Sequence, residues 1–514
     1  MSYRLALLVD SLRVPKSVRQ IAEWARDHPS IDLVAIVLDG RPDSHPGHRT
    51  STPAAGVLLK LLNAIEKLMV LQGEEREHFA LRPIGQFAEV VPLEQVRVGS
   101  MKLDAIVDCT SKALNDDIAR LAKDGVIALR CGSLGGPPGF VEVLDGRPQT
   151  SFAVERRRGS GSETLLRGSI GTSLFHAENY AAVYDRATPY LLASIERLAS
   201  GEADARQAEN GSASATGPIG TGDVLAYMYR TLGRVMAKAW RHAAGREWNW
   251  GVAYTFAPWQ DADLRSGKIL PKLAGTFIAD PFVVDHAGKR YIFLEEFPFS
   301  TRKGVISVFE VDESGAERVG IALEEPYHLS FPFVFRNGGR FFMVPEGQGG
   351  GELVLYECED FPLKWARRRV LLPDICADTV LFEHDSRWWM LTTIKGAGRA
   401  ENNAELHAFY ADDPLGEWHP HLMNPVVLDA AKARNGGLLK DDEGTIFRVA
   451  QRARFRTYGD GFAIYRIDEL TPNSYRETMV REVGPDFFPN LAGTHHMHSQ
   501  AGLTVYDFSR DERP

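Results

Sequence analysis

A chain of 514 residues, 44% hydrophobic and 25% charged, is built like a globular protein of two or three domains, which excludes a mainly disordered or fibrous molecule. Lys and Arg number 59 against 68 Asp and Glu, a formal charge of −9, so nucleic acid is not an expected partner. No apolar run approaches the ~20 residues of a membrane span, the opening apolar stretch ends at Asp10 and is too short for a secretion signal, and Cys109, Cys131, Cys358 and Cys376 form no CxxC pair. A cytoplasmic protein with no cofactor and no bound metal is the expectation.

The first half alternates strand and helix. Arg4–Val9 and Asp32–Leu38 read as strands around a helix over Val14–Asp27, and a longer helix is expected over Ala54–Leu71. Asp104–Asp108 and Gly125–Leu129 are further strands, flanking a helix near Asn115–Asp124. This pattern predicts an α/β domain over residues 1–195 with a parallel sheet, whose site lies beyond the carboxyl ends of the strands. Asp10, Asp39, Asp108 and the loop Cys131–Gly139 fall there, and no glycine-rich phosphate loop follows any strand.

Residues 196–222 read as a flexible linker, because Ser200–Thr221 offers almost nothing to bury. A basic amphipathic helix follows over 223–247, with Arg230, Arg234, Lys238 and Arg241 spaced along it. Such a helix suits either packing against the next domain with a solvated basic face, or peripheral contact with a membrane surface.

From Trp248 the texture changes to aromatic-rich strand pairs that repeat. Ala279–Val284 with Gly288–Leu294 is matched by Ser330–Phe335 with Gly339–Val344, and by Ala377–Phe382 with Ser386–Leu391. Ala433–Leu439 with Gly444–Val449, and more loosely Gly493–His496 with Gly502–Tyr506, complete the series. A period of about 50 residues is that of a propeller blade. The fold class is therefore multidomain, with an all-β five-bladed propeller over 248–514.

Inner strands of a propeller line its axis, and polar residues recur at their starts: Asp280, His328, Asp378, Arg434, His495 and His496. The ends of the second strands add Glu295, Glu296, Glu346, Gln451 and Arg452. Carboxylates, imidazoles and guanidinium groups converging on one cavity suit a polyhydroxylated or anionic ligand, and two opposed carboxylates suit acid/base work at a glycosidic bond. The same residues would also serve a purely structural ring that ties blades together. His496 and His498 share a strand face, but no third ligand follows from spacing, so no metal site is assigned.

The residues Ala279-Asp280-Pro281-Phe282, Tyr327–Pro332, Met343–Glu346, Ala377-Asp378-Thr379, Gly416-Glu417-Trp418 with His421, Ala433-Arg434 and Gly493-Thr494-His495 carry a resemblance. In this order they resemble the propeller domain at the N-terminus of glucosamine inositolphosphorylceramide transferases, itself similar to furanosidase-type glycoside hydrolase propellers. The resemblance implies Asp280 as base and Asp378 as its modulator. Arg434 stands where the hydrolases place their acid, and Glu346 is the nearest substitute. His328, Glu296, Gln451, Arg452, His495 and His496 would bind substrate, with Arg434 and Arg452 suiting a phosphate or carboxylate.

The segment Gly125–Leu134 with Gly136–Phe140 resembles the folate-dependent formyltransferases. Leu129 and Cys131 stand where that family carries Asn and His, so formyl transfer is not expected by its mechanism. The reading is a glycosyl-transferring enzyme acting on an activated or lipid-linked sugar in glycan biosynthesis. The alternatives are a non-catalytic glycan-binding or scaffold protein, an amino-sugar formyltransferase, and an inverting glycoside hydrolase; a homo-oligomer fits any of them.

Overall fold

The computed structural model describes residues 2–41, 52–98, 101–110, 116–133, 136–201, 217–395, 403–454 and 457–512. The centre of the expected linker (202–216), Asn115 of the expected helix, and residues 134–135 of the expected N-terminal loop lie outside them. Two compact units divide the chain, Met1–Met236 and Ala237–Pro514, and the division falls inside the helix Thr221–Ala243. The expected domain end at residue 195 lies inside another helix, His176–Ser200.

In the first unit, aliphatic strands buried on both faces build a seven-stranded sheet. Its spatial order is Glu89–Pro92, Ile31–Leu38, Tyr3–Val9, Ala105–Asp108, Val126–Cys131, Gln149–Arg158, Gly161–Gly171. The first five run parallel, as the strand-helix alternation predicts. The last two close the edge antiparallel, joined by the tight turn at Gly159. Helix Lys16–Asp27 buries Val18, Ile21, Ala22 and Ala25, one face at helical spacing.

Along the helix Thr221–Ala243, Arg230 and Lys238 are exposed and Arg234 is half-buried, and within the first unit Arg230 and Arg234 also donate to the carbonyls of Leu144 and Val143, 2.8 Å each. These carbonyls belong to the last turn of helix Phe140–Asp145, where cationic side chains are well placed, and that of Val143 also accepts from the N–H of Gly146 at 3.3 Å.

The second unit is a five-bladed propeller. Blade 1 comprises Thr276–His286, Lys289–Pro298, Val305–Asp312 and Gly315–Leu323; blade 2 comprises Ser330–Asn337, Arg340–Glu346, Leu353–Asp360 and Lys364–Leu372. Blade 3 begins with Cys376–His384 and Arg387–Ile394, and blade 4 runs from Asn435–Lys440 to Ser474–Val483. Each is an antiparallel meander whose apolar faces stack on the next blade, with Trp388, Trp389 and Trp418 in one such layer.

Blade 5 corrects the looser sequence repeat. Its innermost strand is Met497–Gln500, so His495 and His496 precede it, and its third strand comes from the other end of the unit. Glu247–Thr255 pairs antiparallel with Leu503–Glu512 over nine residue pairs, and Lys268–Ile269 forms the outer edge. The ring is thus closed by strands from both ends of the unit.

The inner strands share a local irregularity. Register slips between Ala279 and Phe282, Ser330 and Phe333, Ala377 and Val380, and Asn435 and Gly437. In the first three, Asp280 (φ 52°), Phe331 (φ 46°) and Asp378 (φ 50°) take left-handed backbone. Each is a β-bulge that re-aims one side chain, and Pro281 and Pro332 sit there because a bulge has no ladder bond for them to break. Aspartate tolerates this conformation, whereas a bulky aromatic pays roughly 1–3 kcal/mol. Phe331 is held in it by full burial against the rings of Phe282 and His496, at 4.9 and 5.2 Å.

Blade 4 carries a buried ion pair of its own: Arg448 donates to both oxygens of Glu477, at 2.9 and 2.7 Å, with both side chains almost wholly buried. Arg448→Leu strands the Glu477 carboxylate and is expected to cost about 3–5 kcal/mol of stability, read by urea unfolding. Pairing it with Glu477→Leu should recover much of that loss.

Candidate functional site at the propeller axis

The bulges and strand ends bring most of the candidate residues into one buried cluster. On one side, His495 lies between two carboxylates: its Nε2 is 3.2 Å from Asp280 Oδ1, and its Nδ1 is 2.7 Å from Asp507 Oδ2. Asp507 Oδ1 also accepts from the backbone N–H groups of His495 and His496, at 2.9 and 3.0 Å. Asp507 was not among the sequence candidates. Its signal was a lone carboxylate in the apolar strand Leu503–Phe508, since a fully buried charge needs a partner.

On the other side Arg434 is the hub. Its Nε donates to Asp378 Oδ2, its guanidinium lies 3.5 Å from Glu346 Oε2, and it donates to Asn403 Oδ1 at 3.0 Å. Gln451 donates to Asp378 Oδ2 at 2.9 Å and to the Asn435 carbonyl at 2.6 Å. Glu346 therefore already serves a cation and, through Oε2, the backbone N–H of Asp378 at 3.2 Å. Asp280 Oδ2 likewise accepts from the N–H of Phe331 in the next blade, at 3.3 Å.

Two candidates go elsewhere. Adjacent strand residues point to opposite faces, so Glu295 joins the axis cluster while Glu296 turns away to a bidentate pair with Arg318, at 2.8 and 3.1 Å. For the same reason Gln451 points inward and Arg452 outward, to Glu482 on the exposed side of blade 4. His328 sits at the rim. Its side chain is 41% exposed, its Nε2 lies 3.5 Å from Glu295 Oε1, and its Nδ1 accepts from the N–H of Gly304 at 2.8 Å. His496 is fully buried, edge-on to Phe282 and Phe331, and burial pulls it down to about 4, so it is neutral at pH 7.

The protonation pattern follows from these contacts. Burial pulls the His495 ring down, but Asp507 and Asp280 more than reverse it, to about 10. Burial raises Asp280, and the His495 imidazolium with Arg434 outweighs it, so its carboxyl lies below the ordinary range. Glu295 is pushed well up by burial and then by Asp280 and its neighbouring carboxylates. Asp378 is raised by burial, with Glu346 and Asp280 adding to this against the nearby Arg434. Within one cluster, contacts thus lower the carboxyl of Asp280 and raise those of Glu295 and Asp378.

The ligand atoms of Asp280, His495 and Asp507 lie within 4.8 Å of one another, a spacing that would suit a cation. A metal-binding imidazole must be neutral, so a cation would bind here only by displacing the proton that the carboxylates on either side of this ring stabilise. The three groups form an ion triad.

In the first unit, Asp39 pairs with Arg41 at 2.7 Å, and Asp108 accepts from Thr110 and lies 3.3 Å from Arg130. Burial pushes the Cys131 thiol far up, so it stays neutral, and Leu129 has no group to donate.

Fold and site define a five-bladed propeller with a charged, carboxylate-rich axis. Residues 269–485 match the family model described as glucosamine inositolphosphorylceramide transferase 1, N-terminal. The chain is 38% identical over 208 residues to glucosamine inositolphosphorylceramide transferase 1 of Oryza sativa subsp. japonica, covering 40% of this chain and 28% of the relative. It is 35% identical over 212 residues to the protein of that name from Arabidopsis thaliana, again 40% and 28%. The chain thus spans under a third of the length of these curated relatives. Solved structures similar to it include a family 117 glycoside hydrolase of Zobellia galactanivorans (12% identity, 51% of this chain and 91% of that one, TM-score 0.33). The catalytic domain of a Coprinopsis cinerea GH62 α-L-arabinofuranosidase is another (12%, 51% and 97%, TM-score 0.35). The matched segment holds blades 1–4, so Asp280, Glu346, Asp378 and Arg434 lie inside it and His495, His496 and Asp507 outside.

A group whose pKa is raised by folding adds stability that is complete below its unfolded value and lost as pH climbs through the folded one. His495 should therefore contribute fully below about pH 6.5, and its contribution should fade towards about pH 10. Thermal unfolding across this range should show a falling midpoint, and His495→Gln should flatten that slope.

Proposed function

We propose that the propeller is a carbohydrate-acting unit that transfers a glycosyl group from an activated or lipid-linked sugar to an acceptor hydroxyl in glycan biosynthesis. The observation that carries this reading is Asp280, an axis carboxylate kept ionised by a buried imidazolium and aimed by a bulge. Asp280 takes the proton of the acceptor hydroxyl as that oxygen bonds to the anomeric carbon. The bond from that carbon to the leaving oxygen breaks, and its electron pair departs with the leaving group. Asp378 and Glu346 hold Arg434 in place, and Arg434, Gln451 and His328 supply donors for hydroxyl or phosphate oxygens. The relatives named as transferases support a sugar-conjugate substrate.

A second reading, a glycan-binding propeller without turnover, is favoured by one feature. Asp378 and Glu346, the partners that acid/base work would need, are both engaged by Arg434.

The test compares the protein with Asp280→Asn and Arg434→Leu in a transfer assay with nucleotide sugars and sugar phosphates, alongside calorimetric binding. Transfer should fall about a hundredfold or more in Asp280→Asn while binding changes little. Binding by the unaltered protein with no transfer from any donor would establish the second reading instead. Arg434→Leu should weaken binding of phosphorylated sugars more than that of free sugars.

A further inference from the structure

Two helices of the first unit lie side by side and leave apolar residues in the open. Helix Pro53–Met69 packs Leu59 against Val224 and Tyr227 of the helix Thr221–Ala243, and Tyr227 donates to the buried Glu66 at 2.5 Å. On the first helix, Val57, Leu61, Ile65 and Leu68 recur at steps of four, four and three, all between 46% and 75% exposed. On the second, Leu225, Tyr229, Leu232 and Met236 recur at four, three and four, between 54% and 81% exposed. Each helix therefore carries one apolar stripe turned inward and a second turned to solvent. A globular helix needs only the first. Scattered exposed leucines call for no explanation, but two regularly spaced apolar stripes on helices that share a core are apolar surface of the kind that marks an interface.

Charge says what covers it. Along Pro53–Met69 and Thr221–Met236 the acids are Glu66, which is buried, and Asp223 in the first turn of the second helix, whereas Lys60, Lys67, Arg230 and Arg234 provide four cations. This local excess stands out in a chain whose formal charge is −9. Two copies of the face would bring like charges together, which disfavours self-association. An apolar stripe with a cationic surround fits the boundary between headgroups and acyl chains of an anionic bilayer, with Tyr229 suited to that depth. No helix among the described residues is long and apolar enough to cross a membrane, so the contact is peripheral.

We propose that the paired helices Pro53–Met69 and Thr221–Ala243 dock the first unit onto an anionic lipid surface through Leu61, Leu68, Tyr229, Leu232 and their neighbours. This stands apart from the reading of the propeller and survives its failure.

The experiment is sedimentation of the full chain with sucrose-loaded vesicles of phosphatidylcholine, with and without phosphatidylglycerol, at rising salt. Binding should appear with phosphatidylglycerol and decline as salt rises. The double change Leu61→Glu and Leu232→Glu should weaken it at least about tenfold, since each site loses an apolar contact and gains a repelled charge. Both positions are exposed, and the milder Leu61→Ser with Leu232→Ser should lie between, with unfolding midpoints unchanged. Absence of binding to either vesicle overturns the proposal. So does binding that both double variants leave intact, or a dimer in sedimentation equilibrium that Leu61→Glu with Leu232→Glu dissolves while no vesicle is bound.

Discussion

The imidazolium of His495, held between Asp280 and Asp507, is the contact on which the propeller's geometry turns. Asp280 belongs to the first blade, Asp507 to the last, and His495 precedes the last blade's inner strand. One proton thus joins the first blade to the blade that closes the ring. Buried carboxylates so close together would repel and shed their charge without a cation between them. With it, Asp280 stays ionised, and the Asp507 oxygen that faces away from the ring orders the two backbone N–H groups leading into the inner strand.

The same logic runs round the axis in a second form. Carboxylates of one blade accept from the backbone of the next, Asp280 from Phe331 and Glu346 from Asp378, while Asn435 donates to the Asp378 carbonyl at 2.8 Å. The groups with chemical potential are also the stitches of the ring. Structure and chemistry are therefore not separable here by burial alone, because a carboxylate that ties blades is as buried as one that abstracts protons. What distinguishes Asp280 is a carboxyl lowered by the imidazolium of His495 while Asp378, beside Arg434, is raised by burial and its neighbouring carboxylates.

Much of this was legible in the sequence. The repeat of strand, turn and strand gave the blades, and Asp280 and Asp378 stood out as charged residues at the same place in a repeat. The proline after Asp280 and the one after Phe331 fit the bulges at these places, since a ladder strand does not otherwise accommodate proline. Strand parity was the information missing. Glu295 and Glu296, or Gln451 and Arg452, are neighbours whose roles are opposite, and a bulge of one residue upstream exchanges them. The fifth blade was harder still, because its middle strand lies some 250 residues away in the chain and pairing of that separation leaves no local trace. The basic residues of the long helix left less of a trace: Arg230 and Arg234 have reach enough to cap a neighbouring helix, and helical spacing alone does not reveal those partners.

The closure of blade 5 by strands from both ends sets an order of assembly. During synthesis the strand Glu247–Thr255 emerges early and cannot find its ladder partner, Leu503–Glu512, until the four intervening blades have been made. Until then it waits as an open edge, with hydrogen-bonding groups free to pair with another chain. Ring closure thus follows the making of the four intervening blades, and the nascent protein depends on the later strand to retire the hazard that the earlier one creates.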